Sequence, residues 1–393
     1  MPWPLRMIMY ASAIQLVILI YFGIRYFFHL KSMETSSFRL PLLGFFVPAF
    51  LFLLYPILGY LQFKWFGSFS RTGYPHLLIY LFWFGVVYAG TMLTWLIALD
   101  LTYLLSGLVF KSKKKSLKPV FAKIFFCIAA IVLVYTGGKM IWDTHRIVLE
   151  EITYTMPDDD RLSEPLTIVH IADLHADEFT DEKKMRRYTD KVNEAEPDIV
   201  IFAGDLITSG RDHIQAGAEA LGMIQSTHGV YAVVGDHDYW TDQEYIADAM
   251  ANRGVRMLRD ENEWILHHGS QIKITGVTEL YSRQVPRDTL TALLHETRSE
   301  LLSILASHQA SDRLINYAQD YGVHQLLAGH THGGQIRISV FFYPVTAARA
   351  ETPYVNGHWN LDQLLLNINN GLGFTLSPIR YNAPAQVSVI KVK

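Results

Sequence analysis

The chain has 393 residues, half of them hydrophobic, and a net charge of −3, which is long enough for more than one domain. The charge is unevenly placed: 14 Lys+Arg stand against 4 Asp+Glu up to residue 150, and 20 against 33 after it. The resulting −13 argues against a nucleic-acid partner for the second part, since phosphate backbones need a basic surface, and the single cysteine, Cys127, excludes an intrachain disulfide.

Four apolar runs, at about 5–30, 40–62, 76–110 and 119–142, each reach the ~20 residues that span a bilayer core. The first is too long for a removed signal peptide and lacks a small-residue cleavage site, so it is expected to remain as a helix. The third is longer than a bilayer needs and should tilt or protrude, with Asp100 near its lower end. Between the third and fourth runs, "KSKKKSLK" (111–118) carries five lysines, against Lys64 and Arg71 in the preceding loop. Such positive flanks favour the cytoplasmic face. Four crossings then put the N-terminus and everything after residue 150 outside. The expected organisation is a membrane region at 1–145, a linker at 146–163 and a second domain at 164–393.

From residue 166 short apolar runs alternate with polar segments of helical length. "LTIVHIAD" (166–173), "DIVIFAGD" (198–205), "GVYAVVGD" (229–236), "LLSILASH" (301–308) and "HQLLAGH" (324–330) are β-formers that each end in a polar group. Segments such as 181–196 and 242–254 lie between them and are charged or amphipathic. This alternation predicts an α/β fold with buried strands. Further runs, "WILHH", "QIKITGV", "QIRISVF", "LLLNIN" and "QVSVIKV", supply a second sheet, hence a layered sandwich with helices outside.

Ligands in open α/β sheets sit beyond the C-terminal ends of the strands. The five runs end there with Asp173 and His175, Asp205, Asp236 and His237, His308, and His330 and His332. This mixed oxygen and nitrogen set has no thiolate and suits Mn, Mg, Fe or Zn in a catalytic site. It is too large for one ion and fits two, about 3.5–4 Å apart, with a shared carboxylate. Residues i and i+2 of an extended segment point to one side, so His330 and His332 are expected about 6–7 Å apart, one for each ion. Gly333 and Gly334 would then let the chain turn away. His170, His213, His228, His267, His268 and His358 are read as ordinary surface or core histidines.

"DLH", "GD", "GDHD", "SH" and "GHTHGGQ", in this order, resemble the calcineurin-like metallophosphoesterases, in particular their membrane-associated bacterial branch. "NGLGFTLSPIRYNAPAQVSVI" is similar to that branch's C-terminal pattern, and the resemblance covers about 164–393. It implies an αββα sandwich, which here would follow the four membrane helices read from their apolar length, and hydrolysis of phosphate esters or pyrophosphates at two divalent cations. By position it implies Asp173, His175, Asp205 and His332 on one ion and Asp205, Asp236, His308 and His330 on the other, with Asp205 bridging. His237 would stabilise the leaving oxygen, and Asp238 would orient His237. Three positions depart from the pattern: Asp236 stands where Asn is usual, Thr208 where an acid is common, and "APAQ" (383–386) replaces a more usual Pro-Glu.

Phe341, Phe342 and Tyr343 follow the histidine motif. Two readings stand: a core strand crossing between layers, or a loop touching acyl chains or the bilayer, in contact with substrate. Partners expected from the membrane region are the bilayer and a phosphorylated lipid or envelope precursor. The alternatives are a cytoplasm-facing enzyme resembling UDP-diacylglucosamine pyrophosphatases, or a receptor with a relic metal site.

Overall fold

The computed structural model describes residues 1–33, 39–70, 73–110, 114–156, 162–296 and 301–393. They divide into two compact units, one of Met1–Thr144, Ile336–Thr346 and Leu376–Asn382, the other of His145–Gln335, Ala347–Thr375 and Ala383–Lys393.

The first unit begins with four helices, α1 (Trp3–Lys31), α2 (Arg39–Phe66), α3 (His76–Val109) and α4 (Lys114–His145). All four are long and apolar enough to cross a membrane. Part of the lysine-rich stretch, 111–113, lies outside the described residues. Aromatic and aliphatic side chains, among them Phe52, Tyr88, Met92, Leu96 and Phe125, fill the space between helices. Asp100 accepts a hydrogen bond from Tyr21 Oη at 2.5 Å and pairs with Arg25. A charge at membrane depth is costly alone, and a partner on a neighbouring helix offsets that cost.

The second unit continues with β1 (Ile147–Tyr154), β2 (Leu166–Ile171), α5 (Glu182–Asn193), β3 (Ile199–Phe202), α6 (Ile214–Gly222), β4 (Val230–Ala232), α7 (Asp236–Thr241), α8 (Gln243–Ala251) and β5 (Val255–Met257). Then come β6 (Glu261–His267), β7 (Ser270–Val277), α9 (Arg287–His295), β8 (Leu302–Ser307), α10 (Asp312–Asp320) and β9 (Gln325–Ala328). β12 (Gly357–Leu361), β13 (Leu364–Ile368) and β14 (Ala385–Val392) complete this unit, while β10 (Ile338–Val340) and β11 (Tyr343–Val345) belong to the first unit. One six-stranded sheet has the order β1-β14-β2-β3-β4-β5, the other β12-β13-β9-β8-β7-β6.

Successive strand residues face opposite ways, so a strand buried on both faces needs a continuous apolar run. In β3, Ile199 and Ile201 enter the core between the sheets, where Ile272, Ile304 and Leu365 meet them. Val200 and Phe202 face outward and pack with Met185, Leu221 and Met250 of α5, α6 and α8. On the far side of the second sheet, Leu290 of α9 and Leu314 of α10 cover Leu305 and Leu326. The layers are helix, sheet, sheet, helix. Asp181 starts α5 by accepting from the Lys184 amide at 2.9 Å, and Ser311 starts α10 by accepting from the Leu314 amide at 3.1 Å.

Three expectations are corrected. The stretch expected as a linker holds β1, which pairs in parallel with β14 from Ile147↔Ala385 to Tyr154↔Val392; alternating polar residues on an edge strand hide it from a search for apolar runs. "QVSVIKV" joins the first sheet, antiparallel to β2, and not the second. "QIRISVF" contributes β10, which pairs with β11 alone in a hairpin of the first unit. Its closing pair is Val340↔Tyr343, and the two loop residues, Phe341 and Phe342, have φ of 47° and 70°. A two-residue turn with both φ positive normally takes Asn-Gly, because a left-handed residue with a Cβ costs about 1–2 kcal/mol.

Candidate metal centre

Each expected ligand sits where a strand gives out. Asp173 and His175 follow β2, Asp205 follows β3, Asp236 opens α7 beyond β4, His308 follows β8, and His330 and His332 follow β9. The backbone turns abruptly at these points: Asp173, His175, Asp205, His330 and His332 have φ between 45° and 69°. Such left-handed residues are held only where surrounding contacts over-determine them. Here the loops stitch each other: the His175 amide donates to the Asp205 carbonyl at 3.0 Å, and the His330 amide to Asp173 Oδ2 at 3.0 Å.

The extended His330–His332 segment is also corrected. β9 ends at Ala328, Thr331 is helical in φ and ψ, and His332 opens a 3-10 turn, His332–Gly334. The two imidazoles separate because each sits on its own left-handed residue. Gly333 has φ 61°, and a Cβ there would lie 2.1 Å from Asn370 Oδ1, so only glycine fits the turn.

Two faces of one cluster result. Asp173, His175 and His332 form one group of potential ligands and Asp236, His308 and His330 another, with Asp205 reaching groups on both sides; within each group the ligand atoms lie within 4.8 Å. Asp205 Oδ2 is 3.3 Å from His175 Nε2 and 3.3 Å from His308 Nε2. His332 Nε2 is 3.4 Å from Asp173 Oδ1, and His330 Nδ1 is 3.1 Å from Asp236 Oδ2. Asp173, His175, Asp205, Asp236, His308 and His332 are buried.

Three buried carboxylates among four imidazoles form an unstable set of charges unless cations join them. Burial, reinforced by the neighbouring Asp205 charge, pushes Asp173 up to about 7. Burial works against a charged His330, yet its bonds to Asp236 and Glu351 raise it to about 9. Protons thus compensate where cations would. Among the described residues, buried Asp236 Oδ1 and His175 Nδ1 have no hydrogen-bond partner, and the donors contain no thiolate, so the residues fit divalent ions bound through oxygen and nitrogen.

His237 lies at the edge of this cluster, with a ring nitrogen within 4.8 Å of ligand atoms of His175 and Asp205. Its amide donates to Asp205 Oδ1 at 2.9 Å, and its ring Nδ1 faces the Thr208 carbonyl. A carbonyl only accepts, so Nδ1 carries a proton. Asp238 does not orient this ring. Its fully buried carboxylate accepts instead from the amides of Asp205 (2.9 Å), Leu206 (2.9 Å) and Gly235 (3.1 Å), because the first turn of α7 aims it back at the β3 loop. The orienting group is Thr208, whose hydroxyl donates to Asp177 Oδ2 at 2.9 Å.

Two residues of the site were not found in the sequence. Gln309 Nε2 donates to Asp236 Oδ2 at 2.8 Å, and Glu351 Oε2 lies 3.3 Å from His330 Nε2. Gln309 directly follows His308, the one clue available; Glu351 has no spacing signal. Tyr281, Gln309, His330, Glu351 and Tyr354 border a cavity of about 180 Å³. His170 stays a core residue, buried against Asn367 Oδ1 at 2.6 Å, and His228 meets His267 at 3.0 Å.

Residues 166–334 match the family model for calcineurin-like phosphoesterases. A metallophosphoesterase of Bacillus subtilis (strain 168), YkuE, is 26% identical over 288 residues, 72% of this chain and 99% of its own length. A zebrafish (Danio rerio) transmembrane protein with a metallophosphoesterase domain is 25% identical over 238 residues, 58% of this chain and 53% of that protein. A solved structure of a Thermus thermophilus protein overlays 55% of this chain and 88% of its own at a TM-score of 0.36 and 14% identity. With four helices of membrane-spanning length and a strand-end His and Asp cluster inside the matched segment, the chain combines a membrane-type region with a segment similar to the calcineurin-like phosphoesterases.

Proposed function

We propose that the centre holds two divalent cations and hydrolyses a phosphate ester or pyrophosphate of a lipid or cell-envelope precursor. The observation that carries the dinuclear reading is Asp205, one oxygen of which lies 3.3 Å from a histidine on each face of the cluster. Asp173, His175 and His332 would complete one ion, and Asp236, His308 and His330 the other. When bound, the cations would neutralise the phosphate and lower the pKa of a water placed to attack phosphorus.

The protein's own groups do the rest. With Nδ1–H held by the Thr208 carbonyl, His237 in its doubly protonated form would give its Nε2 proton to the departing oxygen and be left neutral. Gln309 holds Asp236 in place, and Glu351 fixes the ring of His330 from behind, as carboxylates behind metal-binding histidines commonly do. The cavity beside His330 would take a head-group-sized part of the substrate. A lipid substrate is supported by chain connectivity: α4 ends at His145 and β1 begins at Ile147, so the domain is tethered to the membrane-type helices.

The test is to assay purified protein with Mn, Mg, Zn and Fe in turn against aryl phosphate mono- and diesters and a membrane lipid extract. Turnover with at least one metal is expected, with release of phosphate or a phosphorylated head group from the extract. Absence of turnover under every metal would refute the enzymatic reading, and turnover of aryl esters alone would refute the lipid.

A further inference from the structure

Two bulky aromatics occupy the turn of the β10–β11 hairpin, the place where the backbone least tolerates them. Phe341 and Phe342 both have positive φ, and Phe342 is 98% exposed. Asn and Gly would relieve the backbone and suit water. Keeping two phenylalanines against both preferences means that the tip meets something apolar.

The hairpin's own packing shows where the tip goes. Its base is tied to the C-terminal end of α4: Asn382 Nδ2 donates to the Arg337 carbonyl at 2.8 Å, and the Asn382 amide to Asp143 Oδ2 at 2.7 Å. From there β10 runs along α3. A Cβ on Gly90 would lie 2.6 Å from Ile338 Cδ1, and Thr94 Oγ1 donates to the Ser339 carbonyl at 3.3 Å. Gly90 and Thr94 bracket the midpoint of α3, with Gly90 about 21 Å along the helix at ~1.5 Å per residue. Because α3 and α4 are consecutive crossings, the end of α4 and the start of α3 lie on one side of the membrane. Moving from Ile338 to Ser339 as Gly90 gives way to Thr94 is therefore moving deeper.

We infer that the hairpin Ile338–Val345 is a re-entrant membrane element, lying along α3 with Phe341, Phe342 and Tyr343 among lipid acyl chains. Non-helical backbone persists at that depth only where its polar groups are covered. Thr94 covers the Ser339 carbonyl, and Pro344, the partner of Ser339, brings no amide to the open edge. The inference rests on the membrane reading of the four helices and not on hydrolysis.

The test uses full-length protein in a Cys127→Ser background, with a polarity-sensitive fluorophore on Phe342→Cys, on Val345→Cys or, for comparison, on Lys183→Cys of α5. The protein is reconstituted in phosphatidylethanolamine and phosphatidylglycerol vesicles, and nitroxides on the acyl chain or the head group are compared with aqueous iodide. The Phe342→Cys label should lose most of its emission to acyl-chain nitroxide and none to iodide, the Val345→Cys label should respond at shallower depth, and the Lys183→Cys label should respond to iodide alone. Adding Gly90→Leu, which fills the contact without weakening the helix, should return the Phe342→Cys label to iodide. Iodide access at Phe342→Cys, quenching by the head-group nitroxide alone, or an unchanged pattern in Gly90→Leu would overturn the inference. Turnover is not read, so failure here leaves the proposed hydrolysis standing.

Discussion

Asp205 Oδ2 faces His175 and His308 at equal distance, whereas the His237 amide donates to Asp205 Oδ1 and its ring, which has a nitrogen within 4.8 Å of ligand atoms of His175 and Asp205, is held by the Thr208 carbonyl through Nδ1. The two residues should therefore fail differently. Asp205→Ala is expected to lose bound metal. His237→Ala should keep its metal and lose about 10²-fold or more in turnover, the range of a positioned acid. Metal analysis alongside kinetics on both variants checks this, and a metal-free His237→Ala protein would remove His237 from the proton-donor role. At Asp236, where Asn is usual in the family it resembles, the extra charge is matched by His330 Nδ1 at 3.1 Å and the Gln309 amide at 2.8 Å.

Strand β2 carries both a ligand loop and a titratable core residue. His170 is fully buried, and burial, only partly offset by its bond to Asn367, lowers it from 6.5 to about 4. The unfolded chain therefore binds a proton between about pH 6.5 and 4 that the folded chain refuses, so this site's contribution is complete above 6.5 and fades as pH falls. Over the whole window it is about 3 kcal/mol, of which about 2 kcal/mol is gone by pH 5. His170→Gln, which keeps a donor for Asn367, should show a smaller drop in melting temperature between pH 7 and pH 5 than the parent, both measured with the same metal. Equal drops would show that the imidazole is not responsible.

For the whole molecule, the lysines at 111–118 predict a cytoplasmic loop and an outer second domain, a reading that labelling tests. In a Cys127→Ser background, Lys183→Cys should react in intact cells with a membrane-impermeant thiol reagent, and Lys113→Cys should react only after lysis. The reverse pattern would move the domain to the cytoplasm and favour a pyrophosphatase working on that face.

Apolar length alone determined the four helices, and strand-ending Asp and His residues determined which side chains converge, because both signals are local: span length is set by the bilayer, and a strand's end sets where its next side chain points. The linker stretch that holds β1 and the second-sheet reading of "QVSVIKV" depended on partners far along the chain. β1 is a strand only because β14, more than 200 residues later, pairs with it. Asp238 reads as an orienter of its neighbour His237, yet α7 turns it onto the Asp205 loop. The separation of His330 from His332 likewise comes from left-handed backbone that loop-to-loop hydrogen bonds enforce. Glu351 reaches His330 through a turn with no regular spacing. Local chemistry chose the ligands; long-range pairing chose how each one is held.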